Sequence, residues 1–360
     1  MRKFLCVLIF AGLLIGCQSG KQTAQWKGKD VTLSAEILQT DLQKIGMVAP
    51  EVAYDSTLII KHIHCQNSYS IWKIKDDSLF YVDEFISRGE GPYEIIIPYI
   101  YADYARDRIA VFGWYNGENK VFYIDLSHPE EIADKTLWNI FHWRQKKPVS
   151  QLCPVDSTAC VAMSMSSEDN MFYRFDISRD TLIPLYYPYP KTTDNKANKH
   201  LISKIFSGTL LKHPDKSRFV YSMNPWGRYS FIFDVDSSGV KNVIPLCDDI
   251  PEYGVARDGL NISYGKNSLR SYTVRVAKRH IYLMYNDFTV DDFSEDRLID
   301  GLPMNYYNKI LVYNWDGLPV KRLNLDMPIL SFCVDRDENY LYAITDRIIE
   351  DNESVVRFKL

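Results

Sequence analysis

The chain has 360 residues, 42 basic against 46 acidic, for a formal charge of -4, so it lacks the basic surplus that marks a nucleic-acid-binding surface. Hydrophobic residues make up 46% and aromatics 14%, with 25 Tyr, which excludes a disordered chain and favours one rich in strands. A single all-β repeat domain fits this length. The chain opens on a basic Met1-Arg2-Lys3 and an apolar run from Phe4 to Ile15 that is too short to span a bilayer comfortably, and residues 1–16 therefore read as a signal peptide.

That run ends in Leu13-Leu14-Ile15-Gly16-Cys17, which resembles the bacterial lipobox. The resemblance implies cleavage before Cys17, diacylglycerol on its sulfur and an acyl group, such as palmitate, on its new amino group. Several acyl chains anchor far more firmly than one. It also implies an outer-membrane lipoprotein. Gln18 follows the cysteine and no acidic residue occurs in Ser19-Gly20-Lys21-Gln22-Thr23, which favours the periplasmic leaflet over the cell surface. Residues 17–30 are polar and read as a flexible tether.

Val31 to Leu38 alternates and reads as a strand with no sequence neighbour for a hairpin. Six copies of one pattern follow, each a polar turn, a short apolar strand, a second strand rich in Tyr or Phe, and a further turn. They run from Met47 to Ser87, Ile100 to Ile140, Leu152 to Leu185, Ile202 to Leu246, Leu269 to Leu325, and from Ile329 to the end. Turns are marked by pairs such as Asp55-Ser56, Arg106-Asp107, Asn116-Gly117 and Asp316-Gly317. Helical periodicity is confined to the stretch from Asp194 to Ser207. Such repetition predicts an all-β fold, a six-bladed β-propeller of four-stranded antiparallel blades over residues 31–360. A ring must close or leave raw sheet edges. The orphan strand at residues 31–38 is expected to close it by joining the last blade.

With the lipobox at Cys17, the loop Arg88-Gly89-Glu90-Gly91-Pro92-Tyr93-Glu94 after the first repeat, and the ending from Ile310 to Leu360, the chain resembles the six-bladed, TolB-like β-propeller lipoproteins of Bacteroidetes over residues 17–360. That family's loop carries Gly-Pro-Gly-Glu, where Tyr93 stands here in place of the second glycine. The resemblance implies fold and location. It transfers no catalytic residue.

The loops least like ordinary turns are Arg88 to Glu94, Trp114-Tyr115-Asn116-Gly117 and Asn224-Pro225-Trp226-Gly227-Arg228. They combine glycines with Trp and Arg, side chains suited to sugar stacking and to protein hot spots. Arg88, Glu90, Glu94, Trp114, Trp226 and Arg228 are therefore the candidate ligand-binding residues, expected on one face if the blades share a register. The competing reading has Trp114 and Trp226 plug gaps between blades, and the Arg88 loop serve as a connection fixed by its own Arg and Glu contacts. His62 and His64 share a strand face without a third metal ligand. The acidic stretch from Asp287 to Asp300 misses the calcium-loop spacing, and Gly259 to Asn267 misses the phosphate-loop spacing. Asp-Ser and Asp-Thr pairs at 55–56, 77–78, 156–157 and 180–181 resemble O-glycosylation sites of Bacteroidetes, although such pairs are also ordinary turn chemistry. Five cysteines remain besides Cys6 and Cys17. Cys153 and Cys160 could meet across a hairpin, or serve as small apolar side chains on strands.

The functional expectation is a membrane-anchored envelope lipoprotein whose propeller is a binding or scaffold domain, with a protein or glycan ligand on one face, no metal, no other cofactor and no nucleic acid. The alternative is a metal-assisted hydrolase or lyase acting on a carbohydrate or lactone in the channel. No Gly-x-Ser-x-Gly elbow or His-Glu-x-x-His helix supports it, but propeller enzymes can draw a site from scattered loops.

Overall fold

Aspartates at the hairpin tips fix where each strand turns. Asp55, Asp76 and Asp107 take the left-handed conformation (φ 50°, 54° and 46°), which Asp tolerates better than most residues because its short carboxylate bonds locally. Gly317 takes it too (φ 75°), at the tip read from Asp316-Gly317. Between such tips the computed structural model folds the chain into a six-bladed β-propeller. It describes residues 26–41, 46–63, 65–115, 118–144, 149–155, 159–164, 169–179, 181–191, 198–255, 261–294, 306–345 and 354–360. Cys17, the signal segment and the tether as far as residue 25 lie outside them.

Blade I comprises Met47–Tyr54, Thr57–His62, Asn67–Lys75 and Ser78–Ser87, the bounds expected from sequence. Blade II comprises Tyr99–Asp103, Arg108–Tyr115, Glu118–Asp125 and Asn139–Arg144. Blade III comprises Val149–Pro154, Ala159–Ser164, Phe172–Asp176 and Thr181–Pro184. Blade IV comprises Gly208–Lys212, Arg218–Met223, Arg228–Asp236 and Gly239–Asp249. Thr273–Val276, His280–Tyr285, Tyr307–Asn314 and Pro319–Ile329 form blade V. In blade VI, Ser331–Val334, Tyr340–Thr345 and Ser354–Lys359 need a fourth strand. The helical signal from Asp194 to Ser207 appears as Lys199–Ile205, started by the Asn198 side chain, which accepts from the Leu201 amide at 3.0 Å.

The fourth strand of blade VI is Ala35–Ile37, antiparallel to Ser354–Lys359. Closure from the N-terminal segment is as expected; its extent is not. Lys29–Leu33 pairs in parallel with the outer strand of blade V, and Gln39–Thr40 in parallel with the outer strand of blade I. The segment breaks at Ser34 because the Ala35 amide turns to Asp326, donating to its Oδ1 at 2.9 Å. What reads as one strand is a strap across three blades. Arg322 grips Asp30 with two bonds of 2.7 and 2.8 Å, while Arg357 reaches Glu36 at 2.7 Å and Asp77 of blade I at 2.6 Å.

The second strand of each blade is a nearly continuous apolar run, as expected of strands covered on both faces. Leu58, Ile59 and Ile60, or Ile109, Ala110 and Val111, are fully buried. Each cluster of core side chains fills a seam: Phe172 of blade III stacks on Phe233 of blade IV at 4.7 Å, and Phe332, Leu341 and Val356 of blade VI meet Met284 and Ile310 of blade V. Cys153, Cys160 and Cys333 are buried as small side chains on strands.

Candidate functional site

Four strands of alternating direction place the connections of a blade at two ends. The link from outermost strand to next innermost strand, and the link between second and third strands, fall at one end, the loop end. The remaining turns fall at the other. Most described turn-end connections are short, and Asp carboxylates sit in them: Asp125, Asp176 and Asp236 each accept an amide two residues on, at 2.6, 3.0 and 2.7 Å. The exception is residues 126–138 of blade II, which carry two 3-10 helices, Pro129–Glu131 and Lys135–Leu137. The loop end carries residues 88–98, 185–191, 198–207, 224–227, 250–255, 261–272 and 286–294 among the described segments, including both α-helices and a small hairpin, Tyr253–Val255 with Ile262–Tyr264. The three candidate loops all belong to this end. Arg108–Tyr115, which contains Trp114, ends there, while the Trp114 side chain and Asn116-Gly117 lie outside the described residues.

The Arg88–Glu94 loop is closed on a cation. Lys120, 9% exposed, donates to the carbonyls of Glu90 at 3.0 Å and Glu94 at 3.2 Å, and to that of Gly91. Glu94 folds inward and its Oε2 accepts the Gly91 amide at 2.9 Å, passing so close to Gly89 that a Cβ there would clash with it. This is the role of the glycines: they admit the carboxylate. Arg88 is exposed and bonds only a backbone carbonyl among the described residues, that of His62 at 2.8 Å. Glu90 also points to solvent.

Trp226 and Arg228 sit in the seam between blades IV and V. Each is 9% exposed. The Trp226 ring meets Phe293 edge-on at 5.8 Å with the Arg270 guanidinium 5.6 Å from its centroid. Arg228 lies between the rings of Tyr272 and Tyr285, at 5.2 and 5.1 Å, and donates to the carbonyls of Asn286 at 2.5 Å and Arg270 at 3.3 Å and to Asp287 at 3.2 Å. These two side chains face protein and pin loops, the geometry of the gap-filling reading. The same holds for the described part of the acidic stretch. Asp287 faces Arg228 and Lys309, Asp291 faces Lys266, and Asp292 caps the Thr289 amide.

A group that the sequence did not single out lies in the axial channel. The innermost strand of blade I bulges between Pro50 and Val52, and Glu51 is the extra residue. Its carboxylate meets Arg275 of the blade V inner strand at 3.2 Å, and Arg275 Nε donates to the Phe332 carbonyl of the intervening blade at 2.8 Å. Above them Lys61 donates to the Pro98 carbonyl at 3.3 Å, its ammonium 5.4 Å from the Tyr99 ring centroid, and fully buried Tyr69 donates to the same carbonyl at 3.1 Å. Burial holds Lys61 below the ordinary lysine range; Glu51 opposes this, while Arg275 and Arg88 add to it. Charges inside the short inner strands Met47–Tyr54 and Thr273–Val276 were the available signal. Nothing in the sequence pairs residues 224 positions apart.

His62 is buried with its Nε2 2.6 Å from Ser70 Oγ, and His64 lies outside the described residues. Among the described residues no group of three His, Cys, Asp or Glu side chains is arranged to hold a metal ion. At the turn end, a cleft of about 440 Å³ between blades I and II is bordered by Tyr54, Asp55, Lys73, Val82 and Glu130.

With this geometry in hand, similarity is found in fold and not in sequence. No family model matches the chain, and no curated protein does. A protein of Bacteroides fragilis described as exported superposes over 91% of this chain and 94% of its own, with TM-score 0.52 and 14% identity. The two share a fold. A Bacteroides thetaiotaomicron protein of unknown function (TM-score 0.44, 10% identity, 90% of this chain and 75% of the other) and TolB from Acinetobacter baumannii (0.40, 13%, 84% and 63%) align less closely.

Proposed function

We propose that the chain is a membrane-anchored lipoprotein of the cell envelope, held in the outer membrane through lipid on Cys17 with the periplasmic leaflet favoured, and that its propeller is a binding or scaffold domain working through its loop end. The observation that carries the binding role is that both α-helices, the small hairpin of Tyr253–Val255 with Ile262–Tyr264 and most of the long described connections collect at that one end, while the described turns of the other end are short except for residues 126–138 of blade II. Blades bury their faces against each other, so a ligand reaches a propeller mainly at its two ends and along its channel. The lipobox-like order before Cys17 supports the anchor, and the exported protein that shares the fold accords with an envelope location. Arg88, Glu90 and Trp114 remain candidates for contact with a protein or glycan partner; Trp226 and Arg228 support that surface from beneath.

The anchor is tested by labelling cells with radioactive palmitate. The protein should incorporate label, and Cys17→Ala should lose it and leave the membrane fraction. Label that persists in the variant overturns the anchor.

A further inference from the structure

We infer that the loop-side mouth of the channel binds the oxyanion of a small amphipathic organic ligand between Lys61 and Arg88, with Ile97 and Tyr99 as the apolar ledge beside it. This rests on the loop end being the binding end. Arg88 bonds the carbonyl of His62, the residue after Lys61, and Lys61 bonds the Pro98 carbonyl, while Arg88 and Arg275 each lie near enough to Lys61 to repel it and Glu51 near enough to attract it. Glu51 is committed to Arg275 at 3.2 Å. Lys61 and Arg88 hold only backbone carbonyls among the described residues, of Pro98 and His62. A carbonyl dipole orients a cation without neutralising it, so neither half-buried Lys61 nor exposed Arg88 has a carboxylate in direct contact among the described residues, and Glu51 acts on Lys61 only through space. Burial is the main cause that holds Lys61 below the ordinary lysine range, Glu51 opposes it, and the repulsion of Arg275 and Arg88 adds to it, so an incoming anion would favour the charged amine. Carboxylates and phosphates both suit this, since guanidinium and ammonium donors bind either. The ledge adds the second requirement. Ile97 is 57% exposed and Tyr99 42% exposed, an apolar pair next to the Pro98 carbonyl that Lys61 grips.

Thermal melting of the purified protein at constant ionic strength tests this with benzoate and phenyl phosphate as probes and neutral benzamide as control. At about ten times its dissociation constant, at least one anion should raise Tm by about 2 °C, by mass action on the native state. The better of the two tells a carboxylate ligand from a phosphate one. Lys61→Met should abolish the shift and leave Tm in the absence of probe unchanged or higher, because a repulsive charge has gone. Arg88→Gln, at an exposed position, should weaken the shift several-fold and guards against a folding defect in the first variant. A benzamide shift equal to that of benzoate, no shift with either anion, or a shift that survives both substitutions overturns the inference. Such a failure leaves the loop-end reading standing, since that is decided by partner contacts and not by anions.

Discussion

Glu338 shows how a single side chain can hold two blades. It sits in the first turn of blade VI in the left-handed region (φ 60°), a conformation disfavoured for Glu, with its carboxylate 2% exposed. Across the seam it accepts from the Arg279 amide at 2.6 Å, from Tyr282 at 3.0 Å, and pairs with His280. Burial alone would raise its pKa, but these donors hold it below the ordinary glutamate value. The carboxylate therefore stabilises the fold fully above that value, and its contribution is lost as pH falls through the lower folded value. Glu338→Gln is expected to cost roughly 3 kcal/mol near neutral pH, as for a buried pair left with one partner. Melting curves of both proteins as a function of pH check this: the gap between them should narrow as pH falls below the ordinary glutamate range and through the lowered folded value of Glu338. A constant gap would assign the loss to packing.

Residue identity alone is where sequence reading ran short. Arg88, Trp226 and Arg228 share a glycine-rich context, yet the structure exposes the first and buries the other two at 9%. Exposure is decided by Phe293, Tyr272 and Tyr285, which arrive from elsewhere in the chain. Lys120 was equally hidden, because its acceptors are carbonyls 26 to 30 residues earlier and carry no side-chain signature.

At the scale of elements, the blades were legible because both their turns and their strands are written locally. Asp55-Ser56 and Asp316-Gly317 mark tips, and apolar runs such as Leu58 to Ile60 mark strands buried on both faces. The N-terminal segment was legible only in part. Its alternation announced a strand, but parallel pairing to blades V and I is set by ion pairs such as Asp30 with Arg322 that join opposite ends of the chain. The strap yields a graded expectation. Removing residues up to 25 should leave the melting temperature nearly unchanged, whereas removal through Thr40 should lower it for the whole domain, since it takes away the Trp26 ring that packs on Tyr313, opens blade VI and strips two outer edges. Arg357→Ala, which unties strap, blade VI and blade I together, should cost about 1–2 kcal/mol as part of a charge network. Thermal unfolding followed by far-UV circular dichroism measures each. A strap deletion that melts like the intact chain would mean that the ring holds without it.

For the whole molecule, the division into two ends is what joins fold to function. One end is built mostly from short turns that Asp side chains close, with one long connection at residues 126–138, and the other from most of the long described connections, a Lys120-centred loop and the mouth of a cation-rich channel. The turn end is not featureless, since the cleft of about 440 Å³ between blades I and II opens there, so the two ends make competing predictions about where a partner docks. Photo-crosslinking in intact cells decides between them most directly, with a photoreactive amino acid placed at Ile97 or Tyr99 on the loop end and at Ser178 or Ser238 on the turn end. The account predicts discrete adducts from Ile97 and Tyr99 and none from Ser178 and Ser238. Adducts from the turn-end positions alone, or from no position, would contradict it.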